Sequence, residues 1–306
     1  MAKEIDTLPL NGRANSPELD AILGKSFKVL DDGFVRPVDY MGNDLSIVQA
    51  ARVSYGDGTK KGASDKNLIR YLMRHRHTTP FEMCEIKFHV RVPMDIWRQW
   101  VRHRTANINE YSTRYSIAID SAHSTNADEW RAQSTTNRQG SGEPLDYDVG
   151  KELTKQEKQL HDMSRNIYRQ RLDSGVSREQ ARKDLPLATY TEAYWKCDLH
   201  NLFHFLSLRM ENASQYEIRE YAKTIGNEIV SKWVPHAWEA FMDYNFDAKL
   251  LSRFEIELLG YITRGEIEAA KEYAQKHEML RNDKPGRELV EFEEKLTLMG
   301  LESPWS

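Results

Sequence analysis

The segment from residue 102 to residue 116 concentrates side chains that could bind an anion. It reads RHRTANINEYSTRYS, holds three arginines, and directly follows the apolar and aromatic run from Ile96 to Val101. Guanidinium groups stay charged at cellular pH and present forked donors to phosphate or carboxylate oxygens. Arginines crowded beside apolar residues repel one another unless an anion lies between them, so we expect a nucleotide or a phosphorylated cofactor. A solvated basic helix end is the alternative.

The spacing of polar residues in and before this segment predicts that several of them reach one ligand. Gln99 and Arg102 are three residues apart and would share a helix face. An amide can both donate to and accept from a base edge or a sugar hydroxyl. Glu110, Ser112 and Arg114 alternate, so in an extended segment they point the same way and could hold a sugar phosphate. A polar loop with internal salt bridges is an equally open interpretation.

Composition excludes several classes of protein. The chain has 306 residues, and its 43 Lys and Arg nearly balance 47 Asp and Glu, so it has no general attraction to nucleic acid or anionic membranes. No apolar run approaches the roughly 20 residues that cross a bilayer, and the start lacks the core of a secretory signal, so we expect a soluble cytoplasmic protein. Cys84 and Cys197 fit no disulfide or thiolate metal pattern and are expected to be buried.

The distribution of apolar residues predicts one main domain between two different ends. Residues 1–26 show little periodicity and are expected to form a loosely attached tail. The main domain should span residues 27–248, with residues 117–150, rich in Ser, Thr, Asn and Gly, as an insertion or long surface loop. Residues 249–306 are charged and helical in pattern, which predicts a C-terminal extension.

Apolar periodicity locates the elements that would position the polar side chains. Residues 84–92 alternate as in a half-buried strand, and a helix should follow from Pro93 to about His103. Residues 187–197 are aromatic and Thr-rich, which favours a second strand. Asp198 is a good N-cap for a helix whose buried stripe runs from Leu199 to Met210. Off that stripe lie His200, His204 and Arg209.

Two further interpretations come from the same residues. His200 and His204 have a metal-ligand spacing, but position 201 is Asn and no third ligand is near in sequence, so we expect no metal site. A metal-dependent hydrolase is therefore the weaker alternative. An RNA-binding module is the stronger one, because arginines interleaved with aromatic residues could stack bases and neutralise phosphates. Those aromatic residues are Trp97, Trp100, Tyr111 and Tyr115.

Several segments together resemble the flavin-dependent thymidylate synthases. Arg102-His103-Arg104, followed after seven residues by Ser112, resembles the defining motif of that family. The other matching segments occur in family order, and the resemblance covers about residues 27–244. They are Met41 to Leu45, Ala51 to Ser54, His77 to Glu82, Asn109 to Tyr115, Ala181-Arg182 with Leu185-Pro186, and Phe205 to Arg209.

The resemblance implies a mixed α/β fold with a central, largely antiparallel sheet flanked by helices. It also implies a homotetramer whose active sites form between subunits. The implied reaction methylates dUMP to dTMP with FAD, NADPH and methylenetetrahydrofolate. The family lacks the cysteine nucleophile of the other thymidylate synthase class, and neither cysteine here lies in a motif that would activate a thiolate.

The resemblance also assigns side chains to ligands. Arg209 would be catalytic, because it would lie against the uracil ring where negative charge develops. His77 and Tyr115 would border the flavin and folate. Asp198 and His200 stand where many members have Asn and Arg, and Asp198 could simply cap its helix. The residues implied for dUMP are Gln99, Trp100, Val101, Arg102, Glu110, Tyr111, Ser112, Thr113, Arg114, Arg182 and Arg209. Those implied for FAD are Ser54, Thr79, Glu82, Arg102, His103, Arg104, Glu110, Asp198, His200 and His204.

Overall fold

A computed structural model describes residues 14–53, 64–134, 140–281 and 284–305. The chain divides into two compact units on either side of Phe246. Most of the polar residues singled out above lie in the first unit, and Ser54 lies outside the described residues.

An antiparallel sheet of five strands is the frame of the first unit, in the spatial order β1-β2-β3-β7-β4. A turn through Asp31 and Asp32 joins its first two strands. The mixed fold with a central antiparallel sheet is therefore confirmed. The strands are β1 (Phe27–Val29), β2 (Gly33–Met41), β3 (Glu85–Pro93), β4 (Asn107–Glu110), the separate hairpin of β5 (Arg131–Gln133) and β6 (Ser141–Pro144), and β7 (Tyr190–Asp198).

Helices follow and flank these strands. The helices of the first unit are α1 (Pro17–Asp20), α2 (Asp44–Arg52), α3 (Asp65–Arg74), α4 (Thr79–Glu82), α5 (Met94–Trp100), α6 (Tyr147–Asp173), α7 (Arg178–Ala181), α8 (Leu199–Arg209), α9 (Tyr216–Thr224), α10 (Ser231–Trp233) and α11 (Pro235–Phe241). A 3₁₀ turn, Arg182–Asp184, follows α7, and π-helical segments, Ile225–Val230 and Met242–Phe246, follow α9 and α11. Residues 216–233 thus comprise α9, a π segment and α10.

Every second side chain of β3 is buried in the core. The aromatic residues of this core also position α5 and α8, the two helices that carry most of the site. Phe88 is fully buried and stacks on Trp195 of β7, its partner in register, with ring centroids 5.8 Å apart. Trp100 of α5 packs edge-on against Trp195 at 5.2 Å and lies 4.8 Å from Phe205 of α8. The shared aromatic core therefore holds the C-terminal half of α5 beside α8.

The expectation of a loosely attached N-terminal tail is wrong for residues 14–26. Leu19 of α1 is fully buried in the core. The Ser16 hydroxyl donates to the carbonyl of Lys232 at 2.8 Å, and the Tyr40 hydroxyl donates to Asp20 at 2.6 Å. Sequence periodicity misses this attachment because a helix of four residues buries only one apolar side chain.

Residues 117–150 are also more structured than a surface loop. Ala118 is buried, its N–H donates to the Tyr168 hydroxyl at 2.9 Å, and Ala122 bridges Thr189. The segment also contains the β5–β6 hairpin, and α6 begins inside it at Tyr147. Small and polar residues make these contacts largely through the backbone, which leaves no apolar pattern in the sequence.

The helix α6 is long and poorly covered within the chain. Its side chains Leu160 and Met163 are 60% and 63% exposed. Among the described residues, no helix is both long and apolar enough to cross a membrane.

The second unit is mostly helical and has a core of its own. Leu258, Leu289 and Phe292 are fully buried in it. Ser252 and Glu255 form a capping box at the start of its first helix. Its elements are α12 (Arg253–Thr263), α13 (Ile267–Lys276), the hairpin of β8 (Leu280–Arg281) and β9 (Lys284–Pro285), and α14 (Arg287–Leu298).

Candidate active site

Arg209 lies where the ends of α5 and α8 meet. It is the last residue of α8 and is half-buried. Its Nε donates to Nε2 of His103 at 3.1 Å, and its Nη2 donates to the Gln99 carbonyl at 3.4 Å. Burial and the neighbouring charge of Arg102 lower the pKa of Arg209. The tertiary structure thus brings together Gln99, Arg102, His103 and Arg209, which we call the Arg209 cluster.

The electrostatics of this cluster are those of an anion site. Burial, followed by the charges of Arg209 and His204, lowers the pKa of His103 to about 4, so its imidazole is neutral near pH 7. The His103 ring lies edge-on to Phe205 at 5.0 Å and to His204 at 5.7 Å. In the described part of the chain, no carboxylate forms an ion pair with Arg102 or Arg209. A guanidinium at a partly buried place without a counter-ion favours an anionic ligand.

A second group of predicted residues, the α7 cluster, lies where the 112–116 turn packs on α7. Arg182 donates to the Thr113 hydroxyl. Arg114 pairs with Glu179 at 3.0 Å, and Arg178 donates to the Tyr115 carbonyl at 3.2 Å. The contacts between the 112–116 turn and the α7 region thus bring the guanidinium groups of Arg114 and Arg182 to the same turn.

The two clusters lie at opposite ends of β4. Arg104 precedes β4, whereas Glu110 ends it and accepts a hydrogen bond from the buried Thr191 hydroxyl at 3.0 Å. The N–H of Tyr111 extends this strand pairing by donating to the main-chain carbonyl of Glu192 at 2.8 Å. A strand of four residues spans roughly 13 Å at about 3.3 Å per residue. The two clusters are therefore separated by the length of this strand within one chain.

A groove near α4 gathers several residues assigned to the flavin region. It has a volume of about 560 Å³. Its walls are mostly apolar, from residues such as Val53, Leu72 and Met83, with His77 and Thr79 contributing polar atoms. The groove thus has a polar edge on apolar walls.

Contacts between α4 and α8 connect the groove with the start of α8. The ring centroids of Phe81 in α4 and Phe203 in α8 are 6.4 Å apart, and the Leu199 N–H donates to the main-chain carbonyl of Cys84 at 2.8 Å. Glu82, the last residue of α4, thereby comes near the start of α8. The His204 ring lies 5.7 Å from that of His103, so contacts run in one arc from α4 through α8 to His103.

Asp198 caps the start of α8. Asp198 accepts the N–H of Asn201 at 2.9 Å and its side-chain amide at 2.8 Å. Asp198 is therefore the N-cap that its position predicts. His200 and His204 follow on α8, and among the described residues no group of three or more potential ligands could hold a metal ion.

Trp100 and Val101 differ from the side-chain roles expected of them. The Trp100 indole is fully buried, and Val101 packs against the same core. The Trp100 indole is therefore closed to a nucleotide, whereas the Val101 side chain stays partly exposed. Trp97 is 4% exposed, so neither tryptophan can stack a base as the RNA-binding hypothesis requires.

Three residues that orient the predicted side chains were missed by sequence reasoning. Gln215 accepts a hydrogen bond from the Gln99 amide at 2.5 Å, Thr191 bonds to Glu110, and Glu179 pairs with Arg114. Each comes from a segment distant in sequence. No local motif marks such residues, because their role depends only on tertiary neighbours.

The Met41–Leu45 motif has a structural role within the chain. Asn43 caps α2 and forms a capping box with Ser46. Asp44 accepts the N–H groups of His236 and Ala237 at 2.8 and 3.0 Å, at the start of α11. This carboxylate therefore ties two distant helices together.

Both cysteines are buried, as expected. Burial and then the charge of Asp44 raise the pKa of the Cys84 thiol to about 12. Burial likewise raises the pKa of Cys197. Neither thiol therefore has the lowered pKa of a nucleophile.

A separate, partly exposed hydrogen-bond network surrounds Asp31, and sequence reasoning missed it. Asp31 accepts hydrogen bonds from Nδ1 of His123 at 2.8 Å, from the Tyr190 hydroxyl at 2.5 Å and from the Ser124 N–H at 3.1 Å. Burial alone would raise the pKa of Asp31, but these three bonds hold it well below its usual range. We call this group the Asp31 network.

Comparison with known proteins places the chain among nucleotide-modifying enzymes. A family model described as Thymidylate synthase complementing protein matches residues 37–236. A flavin-dependent thymidylate synthase of Wolbachia pipientis wMel is 51% identical over 249 residues, covering 81% of this chain and 87% of that protein. One from Ehrlichia ruminantium (strain Gardel) is 52% identical over 250 residues, covering 82% and 84%.

A solved structure is similar in fold as well as in sequence. It is the UMP/dUMP methylase PolB from Streptomyces cacaoi, crystallised with 5-Br dUMP. The TM-score is 0.64 at 32% sequence identity, and the match covers 72% of this chain and 99% of the other.

Proposed function

We propose that this chain methylates dUMP to dTMP, because it belongs to the family of flavin-dependent thymidylate synthases. The similar PolB structure, whose ligand is a brominated dUMP, supports a pyrimidine nucleotide as the substrate. The observation that carries the proposal is the Arg209 cluster, where a half-buried guanidinium is bonded to a neutral imidazole and a carbonyl.

Arg209 would act on the uracil ring. For C5 of dUMP to attack the carbon unit as a nucleophile, the pyrimidine needs anionic character, and a fixed cation beside the ring would stabilise that reactive form. Gln99, Arg102 and Glu110 would hold the nucleotide around it. Trp100 would contribute backbone groups only, because its side chain is fully buried in the core, and the partly exposed Val101 would lie beside it.

The α7 cluster would bind the phosphate end of dUMP. Arg114 and Arg182 supply forked donors that suit phosphate oxygens, and Ser112 and Thr113 add hydroxyl groups to the same turn. Tyr111, whose hydroxyl donates to the Ile117 carbonyl at 2.8 Å, would hold this turn in shape.

The arc from α4 to His103 suits a flavin cofactor. The groove of about 560 Å³ offers apolar walls for an aromatic ring system, with the Thr79 hydroxyl at its edge. Arg102 and Arg104 are exposed cations near this arc, and FAD carries two phosphates that such groups bind. FAD, when bound, supplies the hydride that reduces the transferred carbon unit. Glu82, Asp198, His200 and His204 would complete its binding site, and Ser54 is proposed from the motif alone.

The remaining cofactors are proposed from family membership. NADPH would supply electrons and methylenetetrahydrofolate the carbon unit. His77 stacks beside Tyr71 at 5.9 Å and lines the groove, and Tyr115 is 79% exposed. Both side chains are accessible to a flat ligand, which supports their proposed place beside the flavin and folate.

The separation of the two clusters supports a homotetramer with shared active sites. The Arg209 cluster and the α7 cluster lie at opposite ends of β4 in one chain, so one dUMP would bridge the Arg209 cluster of one subunit and the α7 cluster of another. The exposed apolar side chains Leu160 and Met163 on α6 give a second copy a surface to cover.

Formation of dTMP from dUMP tests the proposed activity. Purified protein, supplied with FAD, NADPH and methylenetetrahydrofolate, should release tritium from C5-labelled dUMP and yield dTMP. Protein that takes up no FAD and yields no dTMP would refute the proposal.

A complementation experiment tests the shared site. R209A and R182A subunits should each be nearly inactive, whereas co-assembled mixtures should recover about a quarter of wild-type activity, since one site in four would combine two intact halves. A mixture of R209A with R102A is the matched control, because both changes damage the same cluster. Equal recovery in both mixtures would contradict a site divided between subunits.

A further inference from the structure

The bond between Arg209 and His103 uses one side of the guanidinium. A guanidinium has five N–H groups, of which His103 and the Gln99 carbonyl accept from two, leaving three. The Nε and Nη2 groups form the lateral fork of the side chain, so the protein occupies that fork. The terminal pair of nitrogens is left for a ligand.

Only one state of His103 can accept this bond. Nε2 receives a hydrogen from Arg209, so the ring must be neutral and must carry its proton on Nδ1. Packing against Phe205 at 5.0 Å fixes the plane of the ring. The charges of Arg209 and His204 oppose protonation. A neutral imidazole therefore bonds to Arg209 without cancelling its charge, as a carboxylate would.

We propose that His103 is a positioning residue for Arg209: its unprotonated Nε2 fixes the lateral fork of the guanidinium so that the terminal fork faces an anionic ligand. With the proposed function, on which this part rests, that ligand is the pyrimidine of dUMP. The role acts through Arg209 and is distinct from any contact that His103 makes with the flavin.

Nitrogen NMR of the imidazole tests the pair without cofactor or substrate. In protein labelled with ¹⁵N in histidine, His103 should show a bare Nε2 and a protonated Nδ1, and should remain so from pH 8 to pH 5. In R209A the ring should lose this preference. A His103 that carries its proton on Nε2 in the wild type would overturn the inference, whatever the activity of the protein.

Variants of His103 test its effect on the ligand. H103Q can place an amide oxygen near the position of Nε2, whereas H103L cannot accept a hydrogen bond. We expect H103L to weaken dUMP binding and lower kcat, reducing kcat/KM about tenfold to hundredfold, while H103Q restores most of the loss. H236L, at an exposed histidine of α11, is the matched control.

The outcomes separate the two proposals. A wild-type protein that binds no dUMP overturns the proposed function, while the NMR result still decides the pairing. If H103L and H103Q lose FAD to the same extent and bind dUMP as the wild type does, His103 serves the flavin alone and the inference is wrong. Calorimetric dUMP binding and flavin absorbance measure these two losses independently.

Discussion

Two histidines of this protein lie in opposite electrostatic environments. Both are partly buried, and burial lowers the pKa of each. The charges of Arg209 and His204 lower the pKa of His103 further, to about 4. The hydrogen bond to Asp31, together with the charges of Asp31, Glu217 and Glu157, raises the pKa of His123 above its usual value. Because burial lowers the pKa of both histidines, the neighbouring charged residues account for the opposite directions of the two net shifts.

The same comparison distinguishes a binding site from a structural network. In the Asp31 network, the carboxylate accepts three hydrogen bonds from the same chain, so its charge is satisfied. In the Arg209 cluster, the guanidinium is bonded only to neutral acceptors and keeps its terminal fork for an anion. A charge left uncompensated by the fold is what marks the site.

Removing the cation should have the largest effect on activity. R209A should lower kcat/KM for dUMP about 100- to 1,000-fold, equivalent to about 3–4 kcal/mol of transition-state stabilisation. Tritium release from C5-labelled dUMP measures the loss, and thermal unfolding should remain close to that of the wild type. R98A, at an exposed arginine of α5, is the matched control. Full activity of R209A would contradict its catalytic role.

Removing the carboxylate of the Asp31 network should lower the stability of the protein and leave its activity unchanged. D31A leaves the His123 imidazole, the Tyr190 hydroxyl and the Ser124 N–H without their acceptor, and because Asp31 is itself partly exposed to water, it should cost about 1–2 kcal/mol in the free energy of unfolding. Urea denaturation measures the cost. D128A, at an exposed aspartate close in sequence to His123 and Ser124, should change the unfolding free energy little. Unchanged stability of D31A would show that the network is not structural.

Disrupting assembly should separate the two regions further. A double variant, L160D with M163D, places charges on the exposed apolar side chains of α6 and should yield smaller species in light scattering. Activity should fall at least about tenfold because the proposed site needs a second subunit. The Asp31 network, which is complete in one chain, should keep its stabilising effect. K158D, on the same helix, is the control for added charge.

Stability as a function of pH should show opposite signs for the two histidines. The lowered pKa of His103 contributes stability above pH 6.5, which should be lost, by about 1–2 kcal/mol, as the pH falls from 6.5 to 4. The raised pKa of His123 contributes stability that is complete below pH 6.5 and should be lost as the pH rises through the folded-state pKa.

Variants that do not titrate isolate each contribution. H103Q can retain an acceptor, and H123N can retain a donor near Nδ1. The difference in unfolding free energy between the wild type and H103Q should decrease at acid pH, and the difference between the wild type and H123N should decrease at alkaline pH. Curves with the same sign for both variants would refute the comparison.

Sequence reasoning succeeds where a pattern is local. The alternation of β3 and the N-cap Asp198 each depend on near neighbours in the chain, and both are confirmed. The expectation for residues 1–26 fails over the described residues because a single buried side chain, Leu19, carries the attachment. The family resemblance implies that Trp100 contacts dUMP, yet the sequence does not reveal that its indole lies in the core.

The sequence by itself determined the family, the antiparallel sheet and the residue types available for the site, because motifs and apolar periodicity are properties of neighbouring residues. Tertiary structure decided which of those residues meet. His103 and Arg209 are brought within 3.1 Å only by the packing of α5 against α8. Asp31 and His123 take their charge states from each other. A hydrogen bond between distant segments depends on the whole core, and no local pattern encodes it.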